Sequence, residues 1–162
     1  MIEGHLVVLL AIAAWWDWRF RRVPNFLVAV LGLSGLLFRC LSGSGWVACE
    51  GAALAFALTI VPVLLKRMGM GDQKLLMAVG TWIGGHYVYV LFLLSLLVSL
   101  TPLLIFPNRW NVLYQNMYSL AVGWVGHRRV WLPTVKQSAC SLPFAISIGF
   151  SYCLLLMGER YL

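Results

Sequence analysis

Apolar residues run along this chain in long, nearly unbroken stretches. Short clusters of arginine, lysine, glycine and proline separate them. A helix that crosses a bilayer needs about 20 mostly apolar residues, within a range of roughly 17–25. Six stretches are read as spans, at about residues 2–18, 26–41, 46–65, 72–83, 87–106 and 140–157. The pattern predicts an all-α membrane protein of six transmembrane helices forming one polytopic domain over residues 1–162. The fourth stretch is short and contains glycine. The first helix is expected to continue to about residue 22, because Val23 precedes Pro24 and that step disfavours the α conformation.

The composition agrees with lipid as the solvent. Hydrophobic residues make up 62% of the chain and charged ones 10%, and mean hydropathy is +0.88. A soluble domain carries about 25% charged residues. The net charge of +7 would suit a nucleic-acid partner, but its placement points to topology instead. With the Asp17 end of the first helix inside, the inner loops hold Arg19, Arg21, Arg22, Lys66, Arg67, Lys74, Arg109, Arg128, Arg129 and Lys136. Only Arg39 and Arg160 fall outside, and these two sets account for all 12 lysines and arginines. The positive-inside rule then gives an N-out, C-out bundle with no nucleic-acid partner.

Residues 108–137 join the last two stretches. Their middle, about 112–126, is moderately apolar and aromatic. It is read as a segment lying on the membrane surface; as a short span it would change the charge balance to seven inside and five outside. The first apolar stretch lacks the basic start and small-residue cleavage site of a removable signal peptide. The cysteines Cys40, Cys49, Cys140 and Cys153 form no C-x-x-C pair and are expected to be small buried hydrophobes. His5, His86 and His127 have no ligand spacing, so no metal and no cofactor is expected. Gly80-Thr81-Trp82-Ile83-Gly84 is a G-x-x-x-G, a spacing that lets helices approach closely.

The chain has five carboxylates: Glu3, Asp17, Glu50, Asp72 and Glu159. Glu3 and Glu159 lie near the chain ends, and Glu50 suits the start of the third helix. Asp17 and Asp72 each fall at the inner end of an apolar helix, at matching depth. Ionisable groups at membrane depth are costly and mark functional sites. Two close carboxylates cannot both ionise cheaply, so they share a proton. That is what aspartic proteolysis needs: one carboxylate takes a proton from water while the other hydrogen-bonds the scissile carbonyl. Gly69-Met70-Gly71-Asp72 places two glycines just before the second acid, where positive φ and an unwound turn would open a wet pocket. Two plainer readings stay open, Asp72 as a helix N-cap and Asp17 as an i,i+4 partner of Arg21. Lys74 is expected to meet lipid phosphate or a carboxylate elsewhere.

Gly69-Met70-Gly71-Asp72-Gln73-Lys74-Leu75-Leu76 resembles the G-x-G-D-x-K-L signature of type IV prepilin peptidases and archaeal preflagellin peptidases. Asp17-Trp18-Arg19-Phe20-Arg21-Arg22-Val23-Pro24-Asn25 resembles their other signature: an acid, a basic stretch, then an aliphatic residue before Pro-Asn. Leu142-Pro143-Phe144-Ala145 is similar to the stretch opening their last helix, without its second proline. The resemblance implies a GxGD aspartyl protease fold with Asp17 and Asp72 as the catalytic pair. It makes Gly69 and Gly71 shape the loop that bears Asp72, and it has Pro24 and Asn25 support the turn after the first helix. It implies cleavage, at the cytoplasmic face of the bacterial inner membrane, of a prepilin-like membrane precursor with a short basic leader. The chain lacks the cysteine-bearing region of the large bifunctional members, which implies a minimal peptidase of the Flp/Tad-pilus type without methyltransferase activity.

Two alternatives differ in what the acids do. A preflagellin or pseudopilin peptidase would share the chemistry and differ in precursor. A non-enzymatic assembly factor or small proton-coupled transporter would use the two aspartates as a relay, but transporters often show interrupted helices in both halves, and here the only interruption is near Gly69–Gly71.

Overall fold

A computed structural model describes residues 2–20, 22–65, 68–105, 118 and 144–161. Their regular structure is six helices: α1 (Ile2–Phe20), α2 (Asn25–Leu41), α3 (Gly45–Leu64), α4 (Met70–Ile83), α5 (Gly85–Ile105) and α6 (Phe144–Tyr161). Each matches one predicted stretch. The chain divides into two compact units, residues 1–98 with 143–162, and residues 99–142. In the second unit the described residues are the last part of α5 and the exposed Tyr118. Apart from Tyr118, the 112–126 segment lies outside the described residues, as do Arg21, Lys66, Arg67, Arg109, His127, Arg128, Arg129, Lys136, Cys140, Leu142 and Pro143.

Breaks between helices fall where the chain must reverse. Helix α1 stops at Phe20, earlier than expected, because Pro24 opens α2: it holds φ −67° and ψ 136°, and its carbonyl accepts from the N–H of Leu27 and Val28. Asp17 therefore sits in the last turn of α1 rather than more than a turn from its end. At the other end of the bundle, Gly84 has φ +84°, a left-handed conformation that suits glycine, and it turns α4 directly into α5.

Helix α4 is the hub of the first unit, packed against α3 and α2, while α1 pairs with α6. Its apolar side chains Leu75, Leu76, Val79 and Trp82 join Leu6, Leu10, Leu31, Val88, Leu91 and Ile148 in one buried cluster. The α3 face toward α4 is built from small residues, Ala48, Gly51, Ala55 and Thr59. Gly51 and Gly80 meet backbone to backbone: a side-chain carbon on either would run into the other's carbonyl group. The G-x-x-x-G spacing thus acts as expected, with Gly51 as the partner.

Polar side chains fasten the end of α4. Trp82 donates from Nε1 to the Leu31 carbonyl at 2.8 Å and stacks on Phe38 with 5.9 Å between ring centroids. Arg39 donates to the Trp82 carbonyl from Nε at 3.0 Å and Nη2 at 2.6 Å. Glu50 is exposed, and its carboxylate lies over Gly85 at the start of α5. Cys40 and Cys49 are exposed and Cys153 half-buried, all three as free thiols. The expectation of buried cysteines fails for the first two because they stand off the helix faces that meet α4. Among the described residues, α3 is the one helix long and apolar enough to cross a membrane; the apolar helices Asn25–Leu41, Gly85–Thr101 and Phe144–Gly158 are shorter.

Candidate active site

Asp17 is buried, 6% exposed, although its sequence neighbours Trp16 and Trp18 are exposed. The helix turns it inward on the α1 face that carries Leu6, Leu10 and Ala13, at i, i+4, i+7 and i+11. Its Oδ2 accepts from the backbone N–H of Ala145 at 3.3 Å. Helix α6 begins at Phe144, so this N–H is one that a helix start leaves without an intrahelical partner. The contact fixes the start of α6 beside the end of α1. Small residues keep the two helices close further along, where Gly149 faces Ala14.

Asp72 occupies the third position of α4, not the cap. The cap is Gly69, with φ −72° and ψ 144°, and its carbonyl accepts from the N–H of Asp72 and Gln73. The Asp72 side chain folds back toward the Gly69 backbone. Its Oδ2 lies 3.3 Å from where a side-chain carbon on Gly69 would stand. This is the acidic half of a capping box, in which the third residue reaches back to the cap. The expected positive φ at the glycine pair does not occur, since among the described residues only Gly43 and Gly84 have it. Gly69 serves by leaving room for the carboxylate, and Gly71 is an ordinary helical residue with open space beside it.

Asp17 and Asp72 are near enough for the charge of one to act on the other, although 55 positions separate them in the sequence. The flanking motif residues meet as well. Lys74 Nζ donates to Asn25 Oδ1 at 3.4 Å, tying the first turn of α2 to the first turns of α4. Lys74 thus bonds an amide rather than a carboxylate, because Asn25 is held at the same end of the bundle by the Pro24 turn. Ala145 was missed as a site residue; the signal was the proline before an apolar run, which marks a helix start.

Two acids on separate helices, sharing one end of a helical bundle and coupled through space, define a candidate carboxylate-dependent hydrolase. Over residues 5–104 the chain matches the model of the type IV leader peptidase family, and it belongs to that family. It is a peptidase by that membership, and the match covers both aspartate motifs. No curated protein and no solved structure matches the chain.

Proposed function

We propose that this peptidase is an aspartic endopeptidase that removes the short basic leader from a type IV prepilin-like precursor, of the Flp/Tad type, at the cytoplasmic face of the bacterial inner membrane. The observation that carries this reading is that Asp17 and Asp72 lie at the same end of the bundle, within reach of each other's charge. The pair holds one proton between them. The ionised carboxylate takes a proton from a water molecule as its oxygen attacks the scissile carbonyl carbon. The protonated one hydrogen-bonds the carbonyl oxygen and gives up its proton to it. As the tetrahedral intermediate collapses, one of its hydroxyls returns a proton to the second carboxylate and re-forms the carbonyl, the C–N bond breaks, and the leaving amine takes the proton gained by the first carboxylate. The Ala145 N–H holds Asp17 in place, and Gly69 leaves the room in which Asp72 swings.

A multi-pass setting is supported by the surface of the bundle. Large apolar side chains are exposed along its helices, including Val8, Ile12, Leu33, Leu37, Phe56, Val61 and Leu97. Exposed patches on that scale mark contact with partner or lipid. Trp15, Trp18 and Phe20 are exposed near the aspartate end and Trp46 and Tyr87 near the other, as in the aromatic belts of membrane proteins. Arg19, Arg22 and Lys74 flank the aspartates and are exposed, which supports a cytoplasmic location for that end.

The test is leader release by the purified protein in lipid, followed by gel shift and mass. Asp17→Asn and Asp72→Asn are each expected to abolish cleavage while leaving the protein inserted. Cleavage at the wild-type rate by either variant sinks the assignment.

A further inference from the structure

We draw no further inference here: the strongest candidate, the side-chain cluster formed by the hydroxyls of Ser147 and Ser151 one helical turn apart on α6, is fully enclosed in the bundle, and nothing in the structure shows what it would bind.

Discussion

A methyl group added at Gly51 tests the packing that holds Asp72 in place. In Gly51→Ala the new carbon falls on the Gly80 carbonyl group, with its carbon 2.8 Å away and the Gly84 Cα 3.0 Å away. Both are backbone atoms, so no side chain can swing aside. Carbon atoms pack at about 3.5–4.0 Å, and α3 and α4 must part by roughly 1 Å. A gap of that size forfeits about a quarter to a half of each contact's attraction along the stripe Ala48, Gly51, Ala55 and Thr59. Overpacking of this kind costs about 1–3 kcal/mol, and these rigid neighbours place it near the top. Alanine returns up to about 1 kcal/mol of helix propensity, leaving a net loss of about 2 kcal/mol, or roughly 30-fold in the folding equilibrium. Reversible unfolding in mixed micelles, titrated with a denaturing detergent, reads this directly. Gly71→Ala is the control, since it adds the same methyl to α4 in open space and is expected to lose nothing. Wild-type stability for Gly51→Ala, or an equal loss for Gly71→Ala, refutes the reasoning.

Arg39→Met removes both bonds to the Trp82 carbonyl and is expected to cost about 2 kcal/mol, as charge-assisted hydrogen bonds do; Arg39→Lys recovers part of it in the same unfolding assay. Trp82→Phe loses the Nε1 bond to Leu31 but keeps a ring against Phe38, so a loss of about 1 kcal/mol is expected. Gly69→Ala crowds the Asp72 carboxylate and is expected to lower precursor cleavage at least tenfold while the unfolding midpoint barely moves. Lys74→Gln and Asn25→Ala break the same contact, so the double variant is expected to lose no more kcat/KM than the worse single one; additive losses refute the tie.

The helices were legible because most apolar runs are long and several of the breaks are marked by a residue with a backbone reason, Pro24, Gly43 or Gly84. Their pairing was not legible. All six runs are apolar around most of their circumference, so periodicity says little about which face meets which helix. The partner choice came from small residues instead, and Gly51 opposite Gly80 is visible only once the two backbones are placed. Both aspartates were legible because a carboxylate in an apolar run is rare. The Asn25–Lys74 bond was not, since either side chain has many plausible partners at a membrane surface. Ala145 was hidden for a simpler reason: its contribution is a backbone N–H, and any residue but proline supplies one.

The depth of Asp72 follows from the same packing. Gly51 and Gly80 are level, and α3 and α4 run in opposite directions. Asp72, eight residues before Gly80, is therefore level with a position eight residues after Gly51, which is the buried Thr59. Helix α3 continues to Leu64, five residues further, or roughly 7 Å at 1.5 Å per residue. The carboxylate thus lies about 7 Å short of the plane in which α3 ends, inside the apolar layer if α3 spans it. Helix α4, at 14 residues, is about 21 Å long, too short to cross a core of about 30 Å. Its break at Gly69 occurs where backbone groups without helical partners need water or protein. On the proposed function, this hydrolase has to bring water to a precursor that is itself in lipid. A short helix that ends early, with an acid in its first turn and another acid opposite, meets both demands without carrying the carboxylates to the middle of the bilayer.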